Sequence, residues 1–147
     1  MSGGVSGDRN SSTALFLTGE TIMEKLRILV VDDDPLIRKL VEAFLTKGGY
    51  QVGLVTDGLK AQEALTREKG GYDLVITDHR MPHLLGVELV RWIKLTYPRP
   101  KVILMTGEGE GVTSVARAAG ADGILKKPFT YDRLMQLIAE CNPTSTP

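Results

Sequence analysis

The sequence predicts an α/β fold in which five parallel strands form one sheet and five helices pack on its two faces. Two observations lead to this prediction. Short apolar runs alternate five times with amphipathic segments over about 120 residues, and no hairpin signal joins one apolar run to the next. The length of 147 residues suits a single domain with one hydrophobic core.

The two ends of the chain lack these patterns. Residues 1–22 are rich in Gly, Ser and Thr, and apart from the short run "ALFL" they show neither helical nor strand periodicity. We therefore predict a flexible extension over 1–22, a folded domain over 23–141 and a polar tail over 142–147.

Composition excludes several classes of partner. Lysine plus arginine and aspartate plus glutamate number 18 each, so no global charge excess favours nucleic acid or an anionic membrane. No apolar run reaches the roughly 18–20 residues that span a bilayer, and no basic cluster precedes "ALFL" as in a secretion signal. The single cysteine, Cys141, suits a reducing compartment. We expect a cytoplasmic protein that binds neither DNA nor a membrane.

The first half of the domain contains three predicted strands and two predicted helices. The run "LRILVV" predicts the first strand, and "PLIRKLVEAFLTKGG" predicts a helix with proline in its first turn and two glycines after its end. "YQVGLV" predicts the second strand, "LKAQEALTRE" the second helix, and "YDLVIT" a third strand buried on both faces. The predicted apolar stripe of the first helix comprises Leu36, Ile37, Leu40, Val41, Phe44 and Leu45.

The second half continues the alternation. Helix three is predicted over about 85–95 and ends before Pro98 and Pro100, while "KVILMT" and "GILK" predict the fourth and fifth strands. Helical spacing of apolar residues places these side chains on the inner faces of helices three to five: Leu85, Leu89, Val90 and Ile93; Val112, Val115, Ala116 and Ala119; Leu134, Leu137, Ile138 and Cys141.

Chemically reactive side chains follow the predicted strands. In an open parallel sheet, ligands bind beyond the carboxyl ends of the strands, where the strand order reverses. In a flavodoxin-like doubly wound sheet of order 2-1-3-4-5, the first and third strands are neighbours, so Asp32, Asp33 and Asp78 converge. Thr106 and Lys127 follow the fourth and fifth strands at the same edge.

Carboxylates packed this closely repel one another, and a bound cation relieves the repulsion. Mg²⁺ is the expected cofactor because it prefers oxygen ligands and needs only a few from the protein. With its charge offset, Asp78 can act as a nucleophile towards phosphorus, and Lys127 and Thr106 can contact the phosphoryl oxygens. The sequence therefore predicts a magnesium-dependent phosphoryl site.

The motifs "ILVVDDDP", "DLVITDHRMP", "LMTG" and "GILKKPF", in this order over residues 26–140, resemble those of response regulator receiver domains. The resemblance implies that Asp78 is the phosphoacceptor and that Mg²⁺ is bound by Asp33, Asp78 and the backbone carbonyl of Arg80, with Asp32 assisting through water. It also implies that Thr106 and Lys127 hold the phosphoryl group and that the Lys127–Pro128 peptide is cis.

Two positions depart from the family pattern. Leu85 precedes Gly86 where many relatives carry an acidic residue, which should alter the capping of helix three rather than the chemistry. Ile124 stands where many relatives place a Tyr or Phe that rotates on phosphorylation. Movement of Thr106 could still report phosphorylation without that aromatic ring.

The resemblance implies a stand-alone receiver that takes a phosphoryl group from a histidine kinase or phosphotransfer protein. It would signal to a downstream protein or pass the group on, and at most phosphorylate itself from small donors and dephosphorylate itself. A homodimer through helix four, strand five and helix five is a further expectation. Two alternatives remain: a magnesium-dependent phosphohydrolase of the haloacid dehalogenase type with Asp32 as its nucleophile, and a degenerate receiver that binds partners without phosphate.

Neighbouring polar residues have simpler interpretations. Asp34 is expected to cap the first helix rather than bind metal, and Asp57 to shape the turn beside Gly58. His79 and His83 are expected to be exposed loop residues, because their spacing does not match a zinc site.

Overall fold

The structure is a computed structural model that describes residues 26–107 and 111–141 in full, together with the backbone of 15–18 and 21–24. The described residues form seven strands and five helices. The strands are β1 (Leu15–Thr18), β2 (Thr21–Glu24), β3 (Arg27–Val31), β4 (Gln51–Val55), β5 (Leu74–Asp78), β6 (Lys101–Thr106) and β7 (Gly123–Lys126). The helices are α1 (Pro35–Lys47), α2 (Gly58–Arg67), α3 (Gly86–Thr96), α4 (Thr113–Ala119) and α5 (Tyr131–Cys141).

The main sheet has the predicted order. Its five strands run in parallel as β4-β3-β5-β6-β7, which is the order 2-1-3-4-5 of the five predicted strands. Val30 of β3 lies beside Leu54 of β4 and Ile76 of β5, so β3 and β5 are direct neighbours. Their carboxyl ends therefore meet at one edge of the sheet, as the site prediction requires.

The sheet separates two layers of core. Alternate residues of each strand point to opposite faces, so Leu29 and Val75 contact one group of helices while Val30 and Ile76 contact the other. Strand β5 is buried along its whole length, as its continuous apolar run predicted. No helix in the described part of the chain is long and apolar enough to cross a membrane.

The N-terminal region is more regular than its composition predicted. Strands β1 and β2 pair in antiparallel fashion, with Leu15 opposite Glu24 and Thr18 opposite Thr21. Because residues 1–22 lack strand periodicity in the sequence, this pair was not predicted. Local backbone hydrogen bonds can form such a pair without the long alternating pattern that marks a strand in sequence. Strand β2 crosses the predicted boundary at residue 23, residues 1–14 and 142–147 lie outside the described part, and the domain limits stay a prediction.

Helix α1 buries a narrower face than its apolar stripe predicted. Val41 and Leu45 are fully buried, whereas Leu36 is 77% exposed and Leu40 is 40% exposed. Leu85 and Val115, also predicted to face inward, are exposed as well. Helical periodicity gives the direction of the apolar face, but the width that is covered depends on how closely the sheet approaches.

Candidate magnesium and phosphoryl site

The acidic residues after β3 are held in three different environments. Asp32 is fully buried, and its Oδ1 accepts a hydrogen bond from the Asp34 backbone N–H at 2.9 Å. The Arg38 guanidinium donates to the Asp32 backbone carbonyl at 2.8 Å, which joins α1 to the end of β3. Asp33 is exposed, and Asp34 accepts from the Leu36 N–H at 2.9 Å as the N-cap of α1. The predicted capping role of Asp34 is confirmed.

Asp78 ends β5 on the neighbouring strand and is 7% exposed. Lys127 reaches it from beyond β7: its Nζ lies 2.8 Å from Asp78 Oδ1 and 3.8 Å from Asp32 Oδ2. The Lys127 backbone N–H donates to the Thr106 carbonyl at 2.8 Å, so the end of β6 fixes the start of this side chain. Residues far apart in sequence thus form one charged cluster.

Three carboxylates lie together beside the Lys127 ammonium. Oxygen atoms of Asp32, Asp33 and Asp78 all lie within 4.8 Å of one another. The pKa of Asp32 is raised to about 6. Burial is the main cause and the charge of Asp78 adds to it, while the Asp34 N–H and Lys127 oppose the shift.

A hard divalent cation fits this arrangement. Asp32 Oδ2 is buried and accepts no hydrogen bond from the residues that the structure describes, although Lys127 lies near it. A buried carboxylate oxygen with unused lone pairs is unfavourable unless a cation or proton neutralises it. The donors are all oxygen atoms, which is the set that Mg²⁺ prefers.

The remaining predicted site residues lie at the same end of the sheet. Thr106 ends β6, is 2% exposed, and donates from its hydroxyl to the Gly107 carbonyl at 3.2 Å. Arg80 is exposed two residues beyond β5. The Lys127–Pro128 peptide is cis, as the resemblance implied.

The chain matches the family model described as the response regulator receiver domain over residues 28–139. It belongs to the receiver domain family. Among curated relatives, it is 36% identical to the response regulator protein PilR of Pseudomonas aeruginosa over 118 residues, which cover 80% of this chain and 26% of PilR. It is 35% identical over 114 residues to the response regulator MprA of Mycobacterium leprae, which cover 77% of this chain and 49% of MprA. The chain therefore spans between a quarter and a half of these relatives.

Solved structures show the same family. A receiver domain protein of Clostridium thermocellum matches with 32% identity and a TM-score of 0.74, over 79% of this chain and 93% of that one. The receiver domain of sensor histidine kinase PA1611 of Pseudomonas aeruginosa matches with 31% identity and a TM-score of 0.72, over 80% of this chain and 97% of that one. The latter structure has a magnesium ion coordinated in its active site cleft.

Two residues of this receiver support Asp78 although the sequence did not predict this role for them. The Thr77 hydroxyl donates to the Asp78 carbonyl at 2.9 Å. His79 was expected to be exposed but is only 6% exposed, and its carbonyl accepts from the Gly86 N–H at 2.7 Å. The reason is that the loop after β5 folds back over the strand end before α3 begins, which residue spacing does not reveal. In the sequence, the continuous apolar run before Asp78 was the signal that pointed to buried neighbours.

The capping of α3 differs from the family pattern as expected. Leu85 makes no side-chain cap, because it carries no hydrogen-bonding group. The Glu88 carboxylate instead accepts from the Leu85 N–H at 2.8 Å. Ile124 is 6% exposed and packs within the core cluster that includes Ala116 and Ala119 of α4. An aliphatic side chain is therefore buried where many relatives have an aromatic ring.

Gly86 is required by space rather than by backbone conformation. A Cβ atom there would collide with the Asp78 carbonyl oxygen and would approach His79 Cα and Leu104 Cδ1 to 2.7 Å. We expect Gly86→Ala to lower the free energy of unfolding by about 1–3 kcal/mol, the usual range for overpacking. Urea unfolding measures this change. In Gly53→Ala, the matched control, the nearest contact is the Tyr72 hydroxyl at 3.1 Å, and the loss should be smaller. Equal losses in both variants would argue against the close approach.

Proposed function

We propose that this receiver accepts a phosphoryl group on Asp78 in a magnesium-dependent reaction and thereby changes its binding to a protein partner. One observation carries the proposal: Lys127 Nζ lies 2.8 Å from Asp78 Oδ1 beside the acidic cluster of Asp32 and Asp33. This combination supplies a nucleophile, a fixed cation and a set of metal ligands at one point, which is what phosphoryl transfer requires.

In the proposed reaction, a carboxylate oxygen of Asp78 attacks phosphorus of a phosphohistidine. The new P–O bond replaces the P–N bond, and the donor imidazole leaves with the bonding electrons and takes up a proton. Asp33, Asp78 and the Arg80 carbonyl would hold Mg²⁺, with Asp32 contributing through water. When bound, this ion supplies positive charge to the phosphoryl oxygens.

The other site residues act on the transferred group. The Lys127 ammonium is already positioned beside Asp78 and would remain within reach of a phosphoryl oxygen. The Thr106 hydroxyl donates to the Gly107 carbonyl in this structure and would turn to donate to another oxygen of the phosphoryl group. That exchange would disturb the loop after β6 and communicate phosphorylation to α4.

The hydrolase alternative is disfavoured on chemical grounds as well as by the family match. Asp32 would be its nucleophile, yet Asp32 is fully buried and its Oδ1 is occupied by the Asp34 N–H. Burial also raises the pKa of Asp32 to about 6, so ionising this carboxyl is harder than for an ordinary aspartate. Asp78 has the better access of the two.

We propose a histidine kinase or phosphotransfer protein as the phosphoryl donor and a protein as the receiver of the signal, without direct DNA binding. Self-phosphorylation from small donors and self-dephosphorylation are the only catalytic activities proposed. A cytoplasmic location agrees with the buried free thiol of Cys141. The stand-alone state and a homodimer through α4, β7 and α5 stay predictions, since the curated relatives are longer than this chain.

The proposal is tested by mapping the modified residue. The protein is incubated with acetyl phosphate and Mg²⁺, the acyl phosphate is trapped by borohydride reduction, and the reduced residue is located by mass spectrometry. We expect modification at residue 78 that disappears with EDTA. Modification at residue 32 would support the hydrolase instead.

The ligand role of Asp33 gives a separate prediction. A unit charge about 4 Å from a cation contributes roughly 1 kcal/mol per unit of cation charge in water and about 4 at an effective dielectric constant of 20. We therefore expect Asp33→Asn to weaken Mg²⁺ binding about tenfold or more, measured by calorimetric titration. Asp34→Asn is the matched control, because it removes an adjacent charge while Asn still caps α1. Equal affinities in the two variants would exclude ligation by Asp33.

A further inference from the structure

Helices α2 and α3 form a surface that the phosphoryl site does not use. A Cβ atom at Gly58, at the start of α2, would collide with Leu84, and one at Gly70, after its end, would collide with Tyr97, so the two helices run side by side in the same direction. Between them lies an open groove of about 610 Å³, lined by Leu59, Gln62, Glu63, Thr66, Arg67 and Trp92.

This surface exposes two leucines, one on each helix. Leu59 is 45% exposed at the N-terminal end of α2, and Leu95 is 82% exposed near the C-terminal end of α3. Trp92 lies one turn before Leu95 and is half-buried, with its ring held edge-on by Tyr97 at a centroid distance of 5.7 Å. A rigid, partly exposed tryptophan flanked by leucines is typical of the centre of a protein interface.

The charged side chains in the groove have a pattern that matches the same pattern in a second copy of the chain. Glu63 and Arg67 are both exposed and lie one turn apart on α2. Within the residues that the structure describes, neither side chain takes part in an ion pair. A surface that offers one acid and one base in a row matches a copy of itself turned by a two-fold rotation, because each acid then faces the other copy's base. The zero formal net charge of the chain adds no repulsion between copies.

We propose that the α2–α3 surface is a homodimer interface in which two copies pack with their α2 helices antiparallel. Glu63 of each copy then faces Arg67 of the other, and Leu59 lies at the end where the other copy presents Leu95. The matching of both the apolar ends and the charges favours a second copy over a partner of a single charge sign. This surface is separate from α4, β7 and α5, the expected dimer surface.

Sedimentation of the full chain from 1 to about 300 μM tests the proposal. We expect a reversible monomer–dimer equilibrium that Leu95→Glu weakens at least about tenfold. Leu95 is largely exposed, so this change should leave the fold intact, which circular dichroism checks. The matched control is Lys126→Glu on the exposed edge of β7, which should leave dimerisation unchanged. A wild type that stays monomeric over this range, or a dimer lost in Lys126→Glu and kept in Leu95→Glu, would overturn the proposal.

A charge exchange tests the predicted pairing directly. Glu63→Arg and Arg67→Glu should each weaken the dimer, because each places like charges opposite one another. The double variant restores opposite charges and should recover the wild-type dissociation constant to within about threefold. Additive weakening in the double variant would rule out the antiparallel arrangement.

Discussion

Asp78→Asn is expected to abolish phosphorylation by acetyl phosphate and by a kinase while leaving the fold intact. An amide is a poor nucleophile towards phosphorus and carries no charge to attract Mg²⁺ or the Lys127 ammonium. The loss should be complete within the limits of phosphate-affinity electrophoresis or intact-mass measurement. Beryllofluoride plus Mg²⁺ should likewise change the spectrum of the wild type and not that of the variant.

Asp57→Asn is the matched control for this experiment. Asp57 also follows a strand, but its side chain accepts from the Lys60 N–H at 2.9 Å as the N-cap of α2, and Asn can cap in the same way. This variant should be phosphorylated as the wild type is. Retained phosphorylation of Asp78→Asn at wild-type stoichiometry would remove Asp78 from the proposed role.

Asp32→Asn is expected to stabilise the metal-free protein at neutral pH. Because burial raises the pKa of Asp32 from 3.8 to about 6, folding favours its protonated form. This contribution to stability is fully present below pH 3.8 and is lost as the pH rises through 6. At about 1.4 kcal/mol per pKa unit, the loss is about 3 kcal/mol at most. Asn is neutral at every pH, so the variant does not lose this stability as the pH rises.

The measurement is the free energy of unfolding in urea with EDTA, compared between wild type and Asp32→Asn from pH 4 to pH 7.5. The stability difference should grow in favour of the variant across this interval. Above pH 6, adding Mg²⁺ should raise the free energy of unfolding of the wild type again, because the cation binds the deprotonated cluster and stabilises the folded state. A difference that stays flat or shrinks with rising pH would contradict a raised pKa for Asp32.

Local patterns made much of this protein predictable. The apolar runs of β3 and β5 mark buried parallel strands because both faces of the sheet are covered, and Asp34 marks the start of α1 because its side chain satisfies a free N–H. Spacing alone could not predict the burial of His79, which results from a loop folding back on the strand. Nor could it predict the β1–β2 pair, which depends on local backbone pairing rather than on a long apolar pattern.

The order of strands and helices, and the chemistry available at the strand ends, follow from the amino-acid sequence alone. Those features depend on residue type and on spacing along the chain, which are local properties. Three features become visible only in the folded chain: Lys127 reaches both Asp78 and Asp32, Gly86 has no room for a side chain, and Leu36 stays exposed while Val41 is buried. Each of these depends on distances between segments far apart in sequence, and such distances are fixed only when the helices pack against the sheet.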